Sequence, residues 1–163
     1  MEIWDGYRED GTLAGCDLIR GIDIPTGLFH LVSEVLVKHK DGMYLLMQRD
    51  WGKPNYPGLY EASASGSAIK GENSYNAAIR ELKEETGIEA SKLQPLYRHV
   101  SKDTIFCGYL CETDCDKEAI ALQEGETISF LWLKEEEFLS FINTDKYVQV
   151  QKERLKEYLN LLK

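Results

Sequence analysis

The segment from Gly66 to Ile88 constrains this chain more than any other. Asn73 or Ser74 can cap a helix that runs to Thr86, and Gly87 stands where such a helix ends. At about 100° per residue, Glu81, Glu84 and Glu85 share one face. Tyr75, Ala78, Ile79 and Leu82 fall on the opposite side, where they can pack on a sheet. Three like charges on one turn repel, each close pair costing roughly a few tenths of a kcal/mol. A divalent cation turns that cost into an advantage. Carboxylate oxygens are hard ligands that suit Mg²⁺ or Mn²⁺, which keep several waters and bridge to substrate phosphates. A solvated surface helix has the same composition, so the glutamates alone do not decide.

Length and charge narrow the classes. At 163 residues the chain fits one domain with a sizeable core, and no linker, repeat or low-complexity tract divides it. The 19 Lys and Arg against 28 Asp and Glu leave a net charge of -9. That balance lacks the basic footprint of a nucleic-acid binder and disfavours anionic membranes. It also means that a phosphorylated ligand needs cations supplied at its site. No apolar run approaches the length of a membrane-spanning helix. The first ten residues carry Glu2, Asp5, Glu9 and Asp10, unlike a secretory signal, so the cytoplasm is the expected compartment. Cys16, Cys107, Cys111 and Cys115 form no CxxC pair and are expected to be buried, reduced thiols.

The remaining pattern predicts a mixed sheet flanked by helices. Glu2 to Gly21, with Asp10 and Gly11 at a turn, reads as a small hairpin within an extension over residues 1–28. Phe29–Lys38 and Met43–Gln48 read as strands joined by a two-residue turn at Asp41 and Gly42. Trp51 to Tyr60 is a Pro-rich loop whose aromatics Trp51, Tyr56 and Tyr60 either stack on a base or pack the loop. Strands are expected at Leu96–Val100, Thr104–Leu110 and Ile128–Leu133. Helices follow at Glu135–Ile142 and at about Lys146–Leu162, the last with Val150, Leu155, Tyr158, Leu159 and Leu162 on or near one face.

Written as G-x5-E-x7-R-E-U-x-E-E-x-G-U, with U aliphatic, residues 66–88 match the Nudix box at every specified position. The chain therefore resembles the Nudix superfamily. The resemblance implies an α/β/α sandwich with a central mixed sheet, Mg²⁺ or Mn²⁺ as cofactor, and hydrolysis of a diphosphate in a small molecule. By position, Glu81, Glu84 and Glu85 look like metal ligands, with the Ser65 carbonyl, beside Gly66, as a backbone ligand. Arg80 and Glu72 look like partners that orient those carboxylates. The proton acceptor is Glu84, Glu81, or an acid in a later loop, where Glu124 and Glu126 stand. Arg49 and Glu61 occupy positions where relatives contact substrate.

The N-terminal portion, with Glu2, Trp4, Asp5, Arg20, Gly21 and Leu28–Leu31, resembles the isopentenyl diphosphate isomerase-like branch. That branch contains isomerases and hydrolases. The isomerases use a cysteine just before the box and several histidine ligands, whereas this chain has Glu61 to Ser65 without a thiol and only His30 nearby. An intact box favours hydrolase over isomerase. Retention of all its acids disfavours a binding-only sensor. A homodimer through the hairpin is a further expectation.

Overall fold

The computed structural model describes residues 1–163. Its centre is β3 (His30–His39), whose alternation separates two layers of core. Val35 and Val37 face Ala78, Leu82, Ile88 and Leu93 on one side. Leu36 faces Phe138, Ile142, Leu155 and Leu159 on the other. The next strand, β4 (Tyr44–Arg49), repeats the split. Leu45 and Met47 join the first layer, and Tyr44 and Leu46 the second. Each fully buried Leu or Val contributes roughly 1.5–3 kcal/mol, so this two-sided strand pair anchors the domain.

The order along the chain is a hairpin of β1 (Ile3–Tyr7) and β2 (Leu13–Ile19), then β3, β4, β5 (Tyr60–Glu61), β6 (Ala64–Ser67) and α1 (Ser74–Thr86). Strands β7 (Gln94–Ser101), β8 (Thr104–Thr113) and β9 (Thr127–Leu133) precede α2 (Glu135–Phe141) and α3 (Gln149–Leu161). Seven strands make one mixed sheet along the path β5-β4-β3-β8-β7, with β6 on β3 and β9 on β4. Strands β3 and β8 are parallel over ten residue pairs, and the other pairings are antiparallel. Helix α1 covers one face, and α2 with α3 the other, the sandwich that the family resemblance implies. No helix is long and apolar enough to cross a membrane.

Strands β3 and β4 pair only at Val37–Leu45 and Lys38–Tyr44, and then diverge. Ser63, fully buried, closes the fork. Its Oγ accepts the Val37 N–H at 2.9 Å and donates to the Leu45 carbonyl at 2.7 Å. The divergence opens room for β6 beside β3, and β6 leads directly into the box.

Four details differ from the sequence reading. His39 donates to the Met43 carbonyl, so the β3–β4 loop is Lys40 to Gly42, three residues rather than two. Gly42 takes the left-handed conformation (φ +96°) that such a loop requires. The last helix begins at Gln149 rather than near Lys146, because Tyr60 pairs with residues 146–148 and holds them extended. On that helix Val150 is exposed, while Gln151, a polar residue, is buried. Among the cysteines only Cys111 is fully buried and Cys16 is exposed on β2, because β2 is an open ribbon with one covered face.

Candidate active site

Helix α1 is fixed at both ends by its own sequence. The Asn73 side chain accepts the Asn76 N–H at 2.8 Å, and the Gly87 N–H caps the Lys83 carbonyl at 2.9 Å. Ala77, Ala78 and Leu82 are wholly buried against the sheet. The opposite face, with Glu81, Glu84 and Glu85, lines a cavity of about 450 Å³. Ser65, Gly66, Arg49, Lys53, Arg80 and Glu126 line it as well. The structure therefore brings together nearly all of the residues singled out from the sequence.

Gly66 has a steric reason. A Cβ there would lie 2.1 Å from the Glu81 carboxyl carbon, so a side chain at this position displaces Glu81. Arg80 has an electrostatic one. Its Nε and Nη2 clasp Glu72 at 2.7 and 2.8 Å, and its Nη1 donates to Glu81 at 2.7 Å and Glu84 at 3.2 Å. The repulsion expected among the glutamates is thus relieved in part by Arg80. This clasp holds Glu72 ionised below the usual carboxylate range.

Glu85 is the surprise, being 4% exposed rather than on an open helix face. The Ser65 N–H donates to it only at 3.4 Å, and no Lys or Arg pairs with it. Burial, and then the charges of Glu61, Glu81 and Glu126, push its pKa well above the ordinary value. Burial likewise raises Glu81 despite Arg80. A buried carboxylate without a cationic partner is costly, and a cation at the site removes that cost. The donors here are all oxygens, the set that suits a hard divalent ion. They line one wall and do not converge into a ready-made cluster of three metal ligands.

Opposite this wall, Arg49 at the end of β4 donates through Nη1 to both oxygens of Glu61, at 3.0 and 3.1 Å. Burial nevertheless pushes Glu61 up to about 7. Glu126 reaches the cavity because the β4–β9 register places Arg49 beside Thr127, and Asp50 donates to the Glu126 carbonyl at 2.9 Å. Its carboxylate pairs with Lys53. Glu124, two residues earlier, is exposed and lies outside the lining. The register separates the two acids, which the sequence left equivalent.

A second cavity, of about 340 Å³, shares Arg49, Asn55 and Ser65 with the first. Tyr56, Phe106 and Arg154 line it. Tyr56 is held at φ +51°, a strained conformation for a non-glycine residue. Of the other loop aromatics, Tyr60 packs edge-on to Phe141, and Trp51 lies over Gly58. Behind this cavity is a network that the sequence did not reveal. Glu34, buried on β3, accepts from Arg154 Nε (2.6 Å) and Nη2 (2.8 Å), Tyr97 (2.6 Å) and Gln151 (2.9 Å). A lone acid beside the apolar run Val35–Val37 was the available signal. His30, the residue nearest a histidine-ligand position, stacks on Trp4 and bonds Thr104 at 2.8 Å.

Comparison with known proteins agrees with this geometry. The NUDIX domain model matches residues 29–158, and the chain belongs to the Nudix family. It is 29% identical over 150 residues to an uncharacterized Nudix hydrolase of Listeria monocytogenes, covering 91% of this chain and 89% of that protein. A 72-residue stretch, 44% of this chain, is 33% identical to the isopentenyl-diphosphate Delta-isomerase of Salmonella heidelberg, covering 40% of that enzyme. In fold it is similar to DR0079 of Deinococcus radiodurans, with a TM-score of 0.75, 19% identity, and coverage of 95% and 98% of the two chains.

Proposed function

We propose that this protein is a metal-dependent hydrolase that cleaves a diphosphate linkage in a nucleoside diphosphate-linked or related small molecule, by attack of water at phosphorus. The observation that carries this reading is the single wall formed by Glu81, Glu84 and buried Glu85, faced across the cavity by Glu126 and Arg49. In this reading Glu81, Glu84, Glu85 and the Ser65 carbonyl hold Mg²⁺ or Mn²⁺. When bound, such an ion neutralises phosphate oxygens and makes a water more acidic.

The chain's own groups supply the rest. Arg49 has one face of its guanidinium committed to Glu61 and the Asn55 carbonyl, which leaves Nη2 to meet a phosphate oxygen. Glu126 or Glu84, both in the lining, accepts the proton of the attacking water. Arg80 keeps Glu81 and Glu84 in place through Glu72. The second cavity receives the group attached to the diphosphate.

Isomerase chemistry is disfavoured because no cysteine lines either cavity. A binding-only role is disfavoured because every box carboxylate is retained and clustered. Assay of a prenyl diphosphate beside nucleotide diphosphates, with metal and with chelator, separates the three. Metal-dependent product release supports the hydrolase. Double-bond migration without release supports the isomerase, and binding without either supports the sensor.

A further inference from the structure

Strand β5, which carries Glu61, is only two residues long and reaches β4 through the pairs Met47–Glu61 and Gln48–Tyr60. Its other side is covered by the end of the chain. The Tyr60 N–H donates to the Lys146 carbonyl at 2.8 Å, and the Tyr60 carbonyl accepts the Val148 N–H at 2.9 Å, as between parallel strands. Ala62, two residues on, turns its N–H to the same side as Tyr60. There the covering segment has already become helix α3, which begins at Gln149. Gln151 continues the ladder with its side chain. Its Oε1 accepts the Ala62 N–H at 2.6 Å, in the place where a longer strand would set a carbonyl.

The Gln151 amide is fixed from both ends. Oε1 also accepts the Tyr147 hydroxyl at 2.5 Å, and Nε2 donates to Glu34 at 2.9 Å. Glu34 is itself held by Arg154 and Tyr97. Turning the amide over would set Nε2 against two donors and Oε1 against a carboxylate. At 1% exposure, Gln151 has no water to replace a lost partner.

The Ala62 N–H belongs to the peptide that follows Glu61. Glu61 receives Arg49 Nη1 on both of its carboxylate oxygens, and Arg49 is the one guanidinium that lines both cavities. A chain of direct contacts therefore runs from α3 to Arg49. We propose that Gln151 is a positioning residue of this site: it fixes the peptide after Glu61, and through Glu61 it sets the direction of Arg49. That Arg49 then meets a phosphate rests on the hydrolase reading.

The test compares Gln151→Leu with Gln149→Leu in the full chain. Gln149 opens the same helix but donates to the Ile142, Thr144 and Tyr147 carbonyls, not to Ala62. The first readout is rotation of the Arg49 guanidinium, followed through its Nη signals by nitrogen NMR. Gln151→Leu is expected to speed that rotation and Gln149→Leu to leave it unchanged. The second readout is hydrolysis. Gln151→Leu is expected to raise KM about ten-fold, as for loss of one charge-assisted hydrogen bond, with kcat within about three-fold. Gln149→Leu is expected to change neither constant. In a Glu61→Ala background, Gln151→Leu should have no further effect on KM.

If Gln151→Leu does not fold, Gln151→Glu takes its place. That change sets two carboxylates together, and adding Glu34→Gln restores one donor and one acceptor, which should recover both the slow rotation and KM. Arg49 rotation that is the same in every Gln151 variant, or a KM effect that persists in the Glu61→Ala background, overturns the proposal. Faster rotation in a chain whose unmodified form hydrolyses no substrate supports the positioning role and overturns the hydrolase reading.

Discussion

Arg80 reaches back eight positions to hold both carboxylate oxygens of Glu72, at 2.7 and 2.8 Å, while its remaining nitrogen faces Glu81 and Glu84. One guanidinium thus joins the loop before α1 to the helix face that carries the acids. Replacing Arg80 with Lys keeps the charge and loses the fork. We expect Arg80→Lys to lower turnover by roughly 10–100-fold, as loss of an orienting partner does at metal sites. Far-ultraviolet circular dichroism should stay unchanged, because α1 is held by its caps and by Leu82.

Glu85→Gln replaces a buried carboxylate that lacks a cationic partner. Turnover should fall by at least about 100-fold, since a ligand and its charge are lost. The metal-free variant should be at least as stable as the unmodified chain, because an uncompensated buried charge is gone. Glu84→Gln, at a more exposed position, should also cost at least about 100-fold in turnover with little change in stability. Denaturant unfolding in chelator checks the stability half.

Gly66→Ala places a methyl group where the Glu81 carboxylate now sits. Glu81 is flexible and can move, so we expect a small change in Tm with a large loss of Mn²⁺ affinity. Equilibrium Mn²⁺ titration reads the second effect directly.

The raised pKa of Glu61 makes the metal-free chain pH-sensitive. Its ordinary value of 4.5 describes the unfolded state, and burial lifts it to about 7 in the fold. The folded state holds this proton more tightly, so the stabilisation is full below about 4.5 and is lost as pH rises to about 7. The shift corresponds to something on the order of 3 kcal/mol. Chelated protein should therefore unfold at lower denaturant concentration at pH 8 than at pH 5, and Glu61→Gln should narrow that gap.

Arg154 and Glu34 form a buried pair, with Arg154 also stacked 3.9 Å from the Phe106 ring centre. Arg154→Met strands the Glu34 charge and should cost about 3–5 kcal/mol. Adding Glu34→Gln should recover part of it, which a double-mutant cycle measures.

The box was legible because its chemistry is local. The helical period alone places Glu81, Glu84 and Glu85 on one face, and the caps at Asn73 and Gly87 are one-residue signals. The sheet was legible through runs rich in Leu and Val, as at Val35, Leu36 and Val37, which suit a strand buried on both faces. What escaped depends on contacts distant in sequence. Gln151 is buried because it serves Ala62, Tyr147 and Glu34, partners up to 117 residues away. Glu126 separates from Glu124 only through the β4–β9 register. Glu85 becomes the most buried of the three acids only because β6 lies against α1.

The account stands most directly on metal-dependent cleavage at the α1 wall. The decisive measurement is phosphate or nucleotide release from a panel of nucleoside di- and triphosphates, ADP-ribose, nucleotide sugars, dinucleoside polyphosphates and a prenyl diphosphate. Each is run with Mg²⁺, with Mn²⁺ and with chelator, for the unmodified chain and Glu85→Gln. The account predicts release from at least one substrate that chelator abolishes and Glu85→Gln reduces by about 100-fold or more. Release that persists in chelator, or that Glu85→Gln leaves intact, would contradict it.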